Sequence, residues 1–171
     1  NIGEPNAVYL GRGDGSFDSG TTLGGSERTY AATVADMDGD GHLDLFIGGL
    51  DNQSSKLFKG DGAGGFADVT AGSGLDTITS ENTISASFGD YDGDGDLDVL
   101  FGAGGASIMQ IFMNNGDGSY AARQDYSMGT YQHSIAVAPL DANASPDIVV
   151  GISRRDTATI KVMTNQPTQP L

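Results

Sequence analysis

The feature that most constrains this chain is a nine-residue pattern that occurs twice, DMDGDGHLD at residues 36–44 and DYDGDGDLD at residues 90–98. Each copy places Asp at its first, third, fifth and ninth positions and Gly at its fourth and sixth. Carboxylates set this close repel one another without a cation among them, and a hard cation such as calcium draws several oxygen ligands from such a segment. The glycines supply backbone conformations that a side chain would forbid. Both segments therefore read as calcium loops, and their flanks decide which kind. An EF-hand loop carries Glu at its twelfth position and lies between helices. The twelfth positions here are Ile47 and Phe101, inside apolar runs that read as strands. Dockerin-type loops also need helices, and glycine–aspartate β-roll repeats have a much shorter period. The two loops are expected to link two strands each.

Self-comparison extends the pattern. The loops begin at Asp36 and Asp90, 54 residues apart, and a third copy aligns without gaps 49 residues later. In APLDANASPDIVVG, Asp141, Asn143 and Asp147 match Asp38, Asp40 and Asp44, while Pro139 replaces Asp36 and Ala142 and Ala144 replace the two glycines. The third loop thus keeps two carboxylates and an amide, and weak metal binding or none is expected there. A second motif recurs between the loops: VYLGRGDGSF at 8–17, LFKGDGAGGF at 57–66 and IFMNNGDGSY at 111–120. An apolar start, a Gly/Asp turn and a closing aromatic describe a β-hairpin. A fourth copy starts at VMTN, 162–165, and breaks into QPTQPL, a tail or linker at 166–171. The repeat units run about 7–49, 55–104 and 108–152, with a partial one at 157–165.

Strands are predicted at 7–11, 17–23, 29–35, 43–48, 56–59, 66–70, 83–88, 97–101, 108–113, 120–126, 134–138, 147–152 and 157–164. No segment sustains a helical period of apolar residues. With 171 residues, 37% hydrophobic, 27 Gly and only 5 Pro, the composition agrees with a β-rich chain of many tight turns. The net charge of −15 argues against nucleic acid as a partner, because phosphates would be repelled. The chain has no Cys, so disulfides cannot contribute. Calcium loops of modest affinity fill best where calcium is plentiful, which points outside the cell. No run approaches the roughly 20 apolar residues of a membrane helix. A start at Asn1 without Met suggests a processed product or a fragment.

The loops, the DLFIGG and DVLFGAG strands that follow them, and the hairpins closing at Phe17, Phe66 and Tyr120 together resemble the FG-GAP/VCBS repeats of integrin-α-type β-propellers. The resemblance implies an all-β fold of four-stranded propeller-type blades, with calcium in the loop between the first and second strands of each. Carried over position by position, it implies side-chain ligands at Asp36, Asp38, Asp40 and Asp44 with the His42 carbonyl. The second set is Asp90, Asp92, Asp94 and Asp98 with the Asp96 carbonyl. Asp141, Asn143 and Asp147 match a third site, from which Pro139 departs. The chain holds about three blades, fewer than a closed propeller of at least four. Exposed sheet edges are therefore expected, and with them assembly with copies of itself or another protein by strand pairing. The last blade, with its altered loop, is expected to be held by something other than metal.

The resemblance implies a calcium-binding extracellular structural or adhesion module rather than an enzyme. The alternatives are a lectin-like, carbohydrate-binding propeller, with Tyr30, Tyr91 and Tyr131 as candidate sugar platforms, and the non-catalytic propeller part of a polysaccharide-active enzyme. Neither His42 nor His133 has a Ser or Cys arrangement suggesting nucleophilic catalysis, and no GxSxG elbow is present. Arg12-Gly13-Asp14 spells an adhesion tripeptide, but the repeated hairpin turn accounts for it. Asn52-Gln53-Ser54 and Asn143-Ala144-Ser145 match the glycosylation sequon.

Overall fold

Alternate residues of the central strands face opposite sides of a sheet, and in the first two blades both sides are covered. A computed structural model describes residues 4–24, 27–51, 53–78, 82–104, 107–129, 131–154 and 157–165. The Asn52 sequon and the 166–171 tail lie outside the described residues. The chain is all-β. It has a two-stranded hairpin, β1 (Asn6–Val8) and β2 (Thr21–Leu23), followed by three antiparallel sheets. The first blade is β3 (Thr29–Ala35), β4 (Asp44–Gly49), β5 (Lys56–Gly60) and β6 (Phe66–Asp68). The second is β7 (Thr83–Gly89), β8 (Asp98–Ala103), β9 (Ile108–Phe112) and β10 (Gln124–Ser127). The third has three strands, β11 (Gln132–Ala138), β12 (Asp147–Arg154) and β13 (Thr157–Met163). Each predicted strand is matched by one of these. The strands predicted from Phe17 and Tyr120 start later, because these residues make only single bridges, to Gly11 and Asn114, before them, and those predicted at 7–11 and 66–70 end early, at Val8 and Asp68. A 3-10 turn at Leu75–Thr77, unpredicted because three residues show no period, places Leu75 and Ile78 in the core.

The sheets cut across the sequence units, since each blade begins in the middle of one unit and ends in the next. The blades stand face to face, with the first strands β3, β7 and β11 side by side. Phe46 and Leu57 of the first blade meet Val99, Phe101 and Phe112 of the second. The rings of Phe46 and Phe112 stack on Phe101 with centroids 6.0 and 5.5 Å away. On the other side of the second blade, Leu100, Met109 and Ile111 meet Ile148 and Val150 of the third. Leu45, Ile47 and Phe58 turn the opposite way from Phe46 and Leu57, toward Leu23 and Val8 of the hairpin. Two glycines permit this closeness. A Cβ on Gly48 would stand 2.6 Å from Thr83, and one on Gly102 would stand 2.7 Å from Gln132, the first residues of the next blade's inner strand.

The arc is open. Beyond the third blade no further sheet is packed among the described residues. Ile160 and Val162 of β13 are 72% and 52% exposed, although Met109, the counterpart of Ile160 in β9, and Leu57 and Ile111, the counterparts of Val162, are fully buried. Gly151, the counterpart of Gly48 and Gly102, borders an open hollow with His133, Ile152 and Ile160.

The position of Phe101, fully buried between two rings, gives a direct test of the inter-blade core. Phe101→Ala is expected to lower unfolding free energy by about 3–5 kcal/mol. Val162→Ala on the open face is expected to change it by less than about 0.5 kcal/mol. Urea denaturation of both variants checks the contrast.

Candidate metal loops

Each loop is organised first by its ninth residue. Asp44 is fully buried, and its two carboxylate oxygens accept the N–H groups of Met37 and Gly60, each at 2.9 Å. Asp98 does the same for Tyr91 and Asn114, at 2.7 and 2.8 Å. So does Asp147 for Leu140 and Asn165, both at 2.8 Å. In every blade this carboxylate ties the second residue of the loop to the end of the third strand. An ionised acceptor strengthens such bonds, and burial without them would be costly. Burial pushes the Asp98 carboxyl up to about 6, with Asp92 and Asp94 acting in the same direction against the two N–H donors.

The remaining acids face inward over the turn. Single carboxylate oxygens of Asp36, Asp38 and Asp40 come within 4.8 Å of one another, and so do those of Asp90, Asp92 and Asp98. Asp44 stands outside the first group, and Asp94 and Asp96 outside the second. Asp36 also accepts the Gly41 N–H, and Asp90 accepts those of Gly93 and Gly95, at 2.8–3.1 Å. One oxygen each of Asp36 and Asp38 is buried with no hydrogen-bond partner. Buried, unpartnered carboxylate oxygens on acids that lie this close together suit a divalent cation, so the residues of the first loop fit one. His42 is exposed, and its ring borders Gly62.

Beside the first loop, the Lys59 ammonium is bonded to the carboxylate of Asp38 and lies 3.0 Å from that of Asp40. These two partners hold the ammonium well above its usual range, and the Lys59 bond holds Asp40 below the usual carboxylate range. In the third loop Asn143 does related work. Its Nδ2 donates to Asp141 at 3.2 Å and to the Asn165 carbonyl at 2.9 Å. Ala144 there has a positive φ of 62°, at the position where Gly41 and Gly95 have 88° and 99° in the other loops. The turn is thus kept even where it costs a non-glycine residue about 1–2 kcal/mol.

Sequence reasoning missed a pair of asparagines. Asn114 Nδ2 reaches back to the Met37 carbonyl in the first loop, at 2.6 Å, and Asn165 Nδ2 reaches back to Tyr91 in the second, also at 2.6 Å. Each binds the loop of the preceding blade to the end of its own third strand. The recurring Asn of IFMN and VMTN was the available signal. The third blade is therefore held by Asp147, by Asn165 and by the Ser85 hydroxyl, which donates to the Gln132 carbonyl at 2.7 Å.

The other candidates separate. Arg12 N–H to Ser16 carbonyl, Asp61 to Gly65 and Asn115 to Ser119 are one turn in three copies. The Asp14 carboxylate is engaged within it by both the N–H and the hydroxyl of Ser16. Tyr30 lines a hollow by the hairpin, Tyr131 stacks on His133, and Tyr91 is half-buried against the second core. Tyr30 and His133 both stand where the inner strand's register shifts. No helix among the described residues is long and apolar enough to cross a membrane. Against known families, the FG-GAP-like repeat model matches residues 1–47 and 36–101. No curated protein matches the chain.

Because Asp147 satisfies two backbone groups by hydrogen bonding, Asp147→Ala is expected to destabilise the chain by about 2–4 kcal/mol. The loss should be the same in calcium and in EDTA. Thermal unfolding in both buffers measures it, and a loss confined to calcium would contradict the hydrogen-bonding role.

Proposed function

The chain belongs to the FG-GAP-like repeat family, and from that membership we propose that it is a calcium-binding, extracellular structural or adhesion module, non-enzymatic, that takes part in protein–protein assembly. The observation that carries the calcium reading is the pair of buried, unpartnered oxygens on Asp36 and Asp38, set beside Asp40. Calcium would supply the positive charge and the oxygen coordination that this arrangement lacks. Asp36, Asp38 and Asp40 would hold it in the first loop, and Asp90, Asp92 and Asp98 in the second. Asp44 would act from behind, by fixing the loop against the third strand. The third loop, with Pro139 at its first position and Asn143 bonded across it, is assigned no metal.

Two features support assembly. Ile160 and Val162 of β13 present an exposed apolar strip, and among the described residues β13 pairs only with β12, so its other edge is open to a further strand. An extracellular setting agrees with loops that need abundant calcium. The lectin-like reading is weaker because Tyr30 and Tyr131 stand by the first strands of the first and third blades, with the second blade between them.

Ligand that binds only the folded chain stabilises it by mass action, by about 2.7 kcal/mol at a hundred times its Kd. Millimolar calcium is accordingly expected to raise the melting temperature by about 5–10 °C over EDTA for a chain of this size. An unchanged melting temperature would remove the calcium reading. Light scattering is expected to give a particle heavier than the 17.5 kDa chain, and a stable monomer in calcium would remove self-assembly.

A further inference from the structure

We propose that Lys59 is a built-in counter-ion of the first loop, which calcium must displace, so that the first loop binds calcium more weakly than the second. The inference rests on the calcium reading above and deepens it. Lys59 directly precedes the residue whose N–H caps the ninth aspartate of its loop. The corresponding residues are Met113 in the second blade and Thr164 in the third. Only the first blade therefore carries a charge at this point. The ammonium contacts Asp38 and Asp40, two of the three acids whose oxygens converge.

A calcium ion held by these acids and an ammonium bonded to the same carboxylates would stand within a few ångströms of each other. At that distance two cations repel strongly even near a protein surface. Binding at the first loop is thus an exchange, in which calcium enters and the ammonium leaves. The side chain has somewhere to go. Lys59 borders an open hollow shared with Asp40, His42, Asp61 and Phe66, and its side chain is 40% exposed even while it is paired. The second loop has five aspartates, and among the described residues no cationic side chain is paired with them. Its charge can be balanced only from outside.

The test is calcium titration calorimetry on the full chain, for the wild type and for K59M, K59Q and K59R. Each is also made with D92N and D94N together, which disable the second loop and leave the first to be measured alone. In the wild type the two sites are expected to differ by about tenfold or more, the first loop being weaker. K59M and K59Q are expected to tighten the first loop by about tenfold and to leave the second unmoved. K59R, which keeps the charge, should give no gain. A first-loop affinity that stays within twofold in both neutral variants, while the second loop binds normally, would overturn the inference and leave the calcium reading intact. So would a first loop that is the tighter of the two in the wild type. Absence of calcium binding in every variant would overturn the calcium reading and this inference with it.

Discussion

The fold depends on a buried carboxylate. Asp44, Asp98 and Asp147 each sit at the start of a second strand, without solvent contact, and each accepts two backbone N–H groups from segments far apart in the chain. One N–H comes from the loop just before the strand and the other from the end of the third strand. A single ionised side chain thereby closes the loop and attaches it to its blade. Because the partners are main-chain groups, neighbouring side chains can change without breaking the arrangement. That is why the third loop survives the loss of Asp36's counterpart and of both glycines.

Around this fixed point the three loops balance their charge in different ways. The first has Lys59 against Asp38 and Asp40, and the third has the Asn143 amide between Asp141 and the Asn165 carbonyl. In the second, aspartates crowd together with only backbone donors. One backbone template thus carries three electrostatic solutions, and the differences come from residues outside the nine-residue pattern as much as from within it.

Blade-to-blade contact has its own logic. In the first two blades the second and third strands carry apolar residues on both faces, so each of these sheets can be a middle layer, and Gly48 and Gly102 let the next blade's inner strand approach. Asn114 and Asn165 add a polar tie from each blade to the loop before it. Those ties are directional, running from a later blade to an earlier one. The third blade receives none among the described residues, and its Leu140 and β13 face solvent. The sequon at Asn143 falls in this loop, where the asparagine side chain is already committed to Asp141, Ser145 and Asn165.

Much of this was legible in the chain itself. Period-two apolar runs, Gly/Asp turns and a spacing near fifty residues determined an all-β succession of blades, because strand alternation and turn conformation are local properties. The aspartate spacing likewise marked residues 36–44 and 90–98 as loops suited to a cation. The tertiary structure alone decided which acids converge and which are spent on the backbone. Asp44 and Asp38 look alike in the pattern, yet one caps two N–H groups and the other meets Lys59, 21 residues away. It also decided that Asn114 clamps Met37 across 77 positions. Such pairings depend on how one blade is placed against the next, and no local period encodes that placement.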